Sequence, residues 1–211
     1  MKHIIKKIEP QEFSEWKKTY PNASYKDLGC DKKFPGAQKA RWALRKSLVE
    51  EQRGLCCYCE MRIENGDYHI EHFLPKDKSL FPHLQLEYFN LHACCRKNPI
   101  GGENEYCGHK KGNIHEPKLV SPLEEDCEDH FIYDMSGNIK SDDDRGRISI
   151  STLNLNSTLL QRSRKSLIEE FEDMEDDQYH KEIIIHLNSD ADILGEFFTT
   201  IRYLHHRGLL H

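Results

Sequence analysis

The sequence predicts an α+β fold: a small cysteine-framed core set in a mainly helical domain, with further helices at its C-terminal end. Three observations predict it. Six of the eight cysteines fall between Cys56 and Cys107, and Cys56 and Cys59 have knuckle spacing. Short strand-like runs flank the turn signal Asn65-Gly66-Asp67. Apolar residues recur at helical spacing before the cysteines and again near the C-terminal end.

Taken in order, residues 1–35 read as irregular. Pro10, Pro21, Gly29 and Pro35 punctuate them, and Phe13, Trp16, Tyr20 and Tyr25 follow no clean period. Such an arm wraps its own domain or a partner. A helix over 36–52 is predicted by Ala37, Ala40, Leu44, Leu48 and Val49, with Gly54 as its stop. Cys56 to Leu74 reads as a knuckle followed by a hairpin, its arms Arg62-Ile63 and Tyr68-His69-Ile70, with Pro75 ending the second arm. Residues 76–112 read as loop and short helix, with a turn or two from Glu87 to Cys94. A second hairpin is predicted from Phe131 to Lys140, and an exposed loop over 141–147. Two helices then close the chain. One runs from about Ser157 to Asp173 on Leu160, Leu167, Ile168 and Phe171; the other from about Asp190 to His206 on Leu194, Phe198, Ile201 and Leu204, with Gly208 past its end. The division is an N-terminal segment 1–35, a core 36–120, and a hairpin with C-terminal helices 121–211.

The chain has 211 residues, 37% hydrophobic and 31% charged, enough for a modest core. Its net charge of −6 argues against a free-standing nucleic-acid coat. Phosphate affinity must then be local, at Lys39, Arg41, Arg45 and Lys46 or at Lys110, Lys111 and Lys118, or be borrowed from a partner. No apolar run follows the charged start Met1-Lys2-His3-Ile4-Ile5-Lys6-Lys7, and none reaches membrane-spanning length, so a cytoplasmic location without membrane association is expected. Thiols stay reduced there, which favours metal over disulfides.

A structural Zn²⁺ needs four ligands. Cys56 and Cys59 supply one pair; Cys95 and Cys107 are read as the other, with Cys94 as the alternative to Cys95. Cys57 and Cys94 are read as buried small residues. Phosphodiester hydrolysis needs a base, a cation and leaving-group stabilisation. His72 titrates in the right range to act as base. Glu71 is a hard oxygen ligand for Mg²⁺ or Mn²⁺, with His109 or Asn113 completing that site. The Asn90 amide would not touch phosphate but would tie backbone groups around the loop and hold His72. Strand alternation imposes a condition: Glu71 and His72 serve one cavity only where the strand ends or bends, otherwise His69 and Glu71 share a face and His72 is a poor base. His69, His83, His92, His115, His180, His186, His205 and His206 are read as satisfied surface residues.

Cys56-x-x-Cys59, Ile70-Glu71-His72-Phe73-Leu74-Pro75, Tyr88-Phe89-Asn90-Leu91, Cys95 and Cys107-Gly108-His109-Lys110-Lys111-Gly112 resemble the HNH endonuclease family. More narrowly they resemble the PtuB nuclease subunits of Septu-type and retron-associated anti-phage systems. Phe131 to Ile139 and Leu153-Asn154-Leu155-Asn156 extend the likeness, which covers about residues 36 to 170. The resemblance implies a ββα-metal finger with His72 as general base and a divalent cation on Glu71 and a last ligand. It also implies cleavage of nucleic acid, with DNA the default and RNA or tRNA the alternative, and gating by an ABC/SMC-type, PtuA-like ATPase. For retron-associated members it adds a reverse transcriptase and its non-coding RNA. Two departures stand out. Glu71 replaces the usual Asp, and Gly108 follows Cys107 where many members place an Asn, His or Asp ligand, which leaves His109 and then Asn113 for that role. The competing reading is a non-catalytic, zinc-stabilised adaptor for the ATPase.

Overall fold

The computed structural model describes residues 1–63, 66–77 and 79–210. Its elements in order are α1 (Gln11–Thr19), α2 (Ala37–Glu51), β1 (Tyr68–His72), β2 (Leu91–Cys95), α3 (Cys107–Lys111), β3 (Ile132–Tyr133), β4 (Ile139–Lys140), α4 (Asp144–Thr152), α5 (Thr158–Glu172), α6 (Asp176–His186) and α7 (Phe198–His206). Among the described residues this is a mixed α/β architecture of seven α-helices and two two-stranded sheets.

The α2 helix forms where its period predicts. It buries Ala37, Ala40, Leu44 and Leu48, and ends before Gly54, whose φ is +78°. Its buried face lies in one core with Ile70, Leu91 and Ala93 of the β1–β2 sheet. A second core of Ile168, Phe171, Tyr179, Ile183, Ile201 and Leu204 binds α5, α6 and α7 together. No helix of the described residues is long and apolar enough to cross a membrane.

Four local expectations change. The segment read as irregular carries α1, which buries only Phe13 and Trp16. Two apolar positions one turn apart bury one side of a nine-residue helix yet are too few to show a period. Tyr68-His69-Ile70 does not pair with Arg62-Ile63. β1 runs antiparallel to β2, from Tyr68 opposite Cys95 to His72 opposite Leu91, and Arg62 bridges Leu55 instead. Asn65, the first residue of the turn signal, lies outside the described residues. Of the stretch from Glu87 to Cys94 where a turn or two was expected, Tyr88–Asn90 forms a 3₁₀ turn and β2 follows from Leu91. All five of its residues are buried, so it shows no polar–apolar alternation. Finally, α4 and α6 were not foreseen, and the last helix starts at Phe198 rather than Asp190. The preceding stretch is drawn back onto the knuckle, since Leu194 and Phe197 donate backbone N–H bonds to the carbonyls of Arg53 and Glu60 at 3.1 Å each. Phe197 sits at φ +49°, which breaks helix propagation at that point.

Candidate metal and active site

The knuckle closes on itself first. Cys56 N–H donates to the Met61 carbonyl at 2.8 Å, and Glu60 turns through φ +64° to allow it. β2 delivers Cys95 as its last residue, and α3 delivers Cys107 as its first. The sulfurs of Cys56, Cys59, Cys95 and Cys107 all lie within 4.8 Å of one another, and all four residues are buried. Cys59 and Cys95 are 3.6 Å apart, and Cys56 and Cys107 4.0 Å. Four thiolates about 2.3 Å from one tetrahedral zinc would be about 3.8 Å apart, so the set can hold a metal ion. The Cys95 N–H points at the Cys56 sulfur (3.3 Å), a bond that stabilises thiolate. Cys94 and Cys57 group with Cys56 in a second set of buried thiols, also within 4.8 Å of one another.

On β1, alternation puts His69 and Glu71 on one face and His72 on the other. The strand runs regularly as far as His72, its last residue. The Glu71 carboxylate is buried. Its Oε1 accepts from Lys111 Nζ (2.9 Å) and Tyr58 Oη (3.3 Å), while Oε2 faces His69 Nε2 at 3.6 Å. Burial opposes its charge, but His69 and Lys111 more than compensate and hold its pKa below the usual carboxylate value. Lys111, read as part of a solvated face or a candidate phosphate cluster, is instead buried and also donates to the His72 carbonyl at 2.9 Å. It therefore ties the carboxylate to the backbone of the neighbouring histidine.

His69 is no surface histidine. Its Nδ1 lies 2.7 Å from the Arg96 carbonyl. Burial disfavours its charged form, yet Cys94, Glu71 and the Arg96 carbonyl together push its pKa up to about 11. A cation entering beside Glu71 would have to displace that proton. His109, in α3, stacks on the His69 ring with centroids 4.2 Å apart, and its Nε2 lies 3.1 Å from the same Arg96 carbonyl. Asn113 is exposed beyond the end of α3.

His72 is held by a carbonyl and an aromatic ring. Its Nε2 lies 3.0 Å from the Gln85 carbonyl, and Tyr25 packs edge-on at 4.5 Å between centroids. A carbonyl accepts only from N–H, so Nε2 carries the proton and Nδ1 keeps a lone pair. Nδ1 is buried with no hydrogen-bond partner among the described residues. Asn90 spans the loop between the strands: its Oδ1 accepts from Leu74 N–H (2.7 Å), and its Nδ2 donates to the carbonyls of Leu74 (2.9 Å) and Leu84 (3.1 Å). Sequence reasoning missed His69, Tyr58, Tyr25 and Lys76. For His69 the signal was its position two residues before Glu71 on a strand.

Burial first, and the Lys76 charge second, depress the His72 pKa to about 4. His92, fully buried with neither ring nitrogen partnered among the described residues, is depressed well below its usual value, again chiefly by burial. Both are neutral in the fold but take up a proton near pH 6.5 when unfolded. Their stabilisation is complete above that pH and is lost as pH falls toward 4. For His72 the loss comes to about 3 kcal/mol. His69 works in the opposite sense, but its contribution is already complete below pH 6.5. The urea midpoint should therefore fall between pH 6.5 and 4, and His92→Phe should flatten the fall. A midpoint that stays level or rises over that range would contradict the assignment.

The sulfurs, carboxylate and imidazoles gathered by β1, β2 and α3 are groups that metal-dependent phosphodiesterases employ. Relatives agree. The retron Vc95 putative HNH endonuclease of Vibrio cholerae serotype O1 biovar El Tor is 30% identical over 145 residues, covering 64% of this chain and 67% of that protein. Septu protein PtuB of Bacillus thuringiensis is 29% identical over 120 residues, 54% of this chain and 41% of its own. Septu protein PtuA of Bacillus mycoides (strain KBAB4) is 24% identical over 180 residues, 72% of this chain and a match to only 25% of that protein. The chain thus spans two thirds of the first relative and less than half of each Septu protein. No family model matches it. The chain belongs to the HNH endonuclease family.

Proposed function

We propose that the chain is the nuclease subunit of an anti-phage complex, cleaving phosphodiester bonds in nucleic acid. In this reading β1, β2 and α3 form the ββα-metal finger, and Zn²⁺ on Cys56, Cys59, Cys95 and Cys107 holds it together. Glu71 holds a Mg²⁺ or Mn²⁺ ion. When bound, that ion would neutralise charge on the phosphate and on the leaving oxygen. His72 takes the proton from the attacking water on Nδ1. The tautomer set by the Gln85 carbonyl is the observation that carries the proposal, because it leaves a basic nitrogen buried and without a partner among the described residues. Glu71, Lys76 and Lys111 lie close enough for their charges to act on the His72 ring. Asn90 positions this imidazole by fixing the loop that follows it.

The net charge of −6 supports a subunit whose nucleic-acid affinity comes from a partner. A PtuA-like, ABC/SMC-type ATPase is that partner. The match to one quarter of a protein named PtuA supports the pairing, since it joins a segment like this one to a protein of that name. DNA is the first substrate and RNA, including tRNA, the second; in a complex of the retron-associated kind, the reverse transcriptase and its non-coding RNA would be further components. The opposed faces of Glu71 and His72 favour a second reading, a non-catalytic zinc-stabilised adaptor for the ATPase.

Purified chain, alone and with such an ATPase and nucleotide, should be incubated with DNA and RNA pools in Mg²⁺ or Mn²⁺. Cleavage abolished by EDTA is expected. Zinc-loaded protein that binds the ATPase yet cuts neither pool would leave the adaptor.

A further inference from the structure

We propose that His69 is the second protein ligand of the divalent cation at Glu71, taking the place of a residue from α3. This rests on the nuclease reading and says where its cation site is completed.

Three observations converge. The Glu71 carboxylate is divided in its duties. Lys111 and Tyr58 occupy Oε1 and leave Oε2 turned to His69 Nε2. The Oε2–Nε2 separation of 3.6 Å is long for a hydrogen bond, but two coordination bonds of about 2.1 Å can span it. Next, His69 is oriented as metal-binding histidines are: one nitrogen bonds a backbone carbonyl, Arg96 at 2.7 Å, and the other faces the carboxylate. His109 has a different position. Its Nε2 lies against that same carbonyl, and its ring supports the His69 ring at 4.2 Å.

The third observation is Gly108. A Cβ at this position would lie 2.5 Å from Glu71 Oε2 and 2.7 Å from His69 Nε2. A side chain there would fill the space into which both groups project. Glycine costs about 1 kcal/mol against alanine in a helix interior, and its backbone here is helical, so α3 gains no conformational benefit from it. What its missing Cβ permits is the approach of His69 to Glu71. The bare helix position leaves room for the two strand groups to meet.

Mn²⁺ is the probe, with the full zinc-loaded chain. Binding is read from the loss of the free-ion electron-spin signal, and imidazole ligation from ¹⁴N modulation of the bound ion's spin echo. Wild type should show the nitrogen modulation. His69→Ala should lose it and bind Mn²⁺ at least about tenfold more weakly, with zinc content unchanged. His109→Ala should keep the modulation and shift affinity less than about threefold. Bound Mn²⁺ without nitrogen coupling in wild type overturns the proposal without recourse to any variant, which covers the case in which His69→Ala fails to fold. Mn²⁺ binding lost in Glu71→Gln but kept in His69→Ala overturns the His69 assignment alone. A wild type that binds no Mn²⁺ overturns the catalytic-cation reading along with it.

Discussion

Cys59→Ala should unfold the middle of the chain. The four clustered thiols come from the knuckle after α2, the end of β2 and the start of α3, so one ion there would join three segments. Binding of a structural zinc is worth about 10–16 kcal/mol in small zinc domains, as much as or more than the whole stability of a typical domain. Losing one ligand also leaves three buried thiols with no cation to hold them. The expected result is zinc content near zero, loss of the cooperative thermal transition and exposure of Tyr58, with the same outcome from a strong chelator. Cys57→Ala and Cys94→Ala should keep the metal and cost only the removal of a small buried side chain, about 1–2 kcal/mol. Zinc retained in Cys95→Ala but lost in Cys94→Ala would reassign the fourth ligand.

His72→Ala should abolish cleavage and leave the scaffold standing. A positioned general base is worth about 10²- to 10⁴-fold, and His72 Nδ1 has no hydrogen-bond partner among the described residues. The ring's contacts with Gln85 and Tyr25 lie at the edge of the site, away from the thiol cluster, so zinc content should not change. Single-turnover cleavage by the variant within threefold of wild type would remove His72 from the chemistry.

Much of the thiol cluster was legible because its side chains are chemically conspicuous. Cys56 and Cys59 announce themselves by type and spacing, while Cys95 and Cys107, separated by a longer loop, are less regular; Cys95 lies in the four-thiol set and Cys94 in a three-thiol set with Cys56 and Cys57. The helix over 37–51 was legible for a different reason: four apolar residues on one face outweigh the charged remainder. What was hidden is what depends on partners distant in sequence. β2 looks like no strand because both its faces are covered. The true pairing of β1 skips the nearest candidate arm. The stretch before α7 has the apolar period of a helix, yet hydrogen bonds to Arg53 and Glu60 pull it out of one. His69 was dismissed because a histidine near a glutamate is common; its meaning came from strand alternation and from a glycine almost forty positions away.

The clasp of residues 194–199 on the knuckle has a consequence in time. Leu194 and Phe197 bond to Arg53 and Glu60, Arg62 N–H bonds Glu196, and the Thr199 hydroxyl bonds Glu60. The last thiol of the cluster, Cys107, leaves the ribosome roughly 90 residues ahead of this clasp, about 5–20 s at ordinary elongation rates. The clasp on the knuckle therefore forms only after all four clustered thiols have been made.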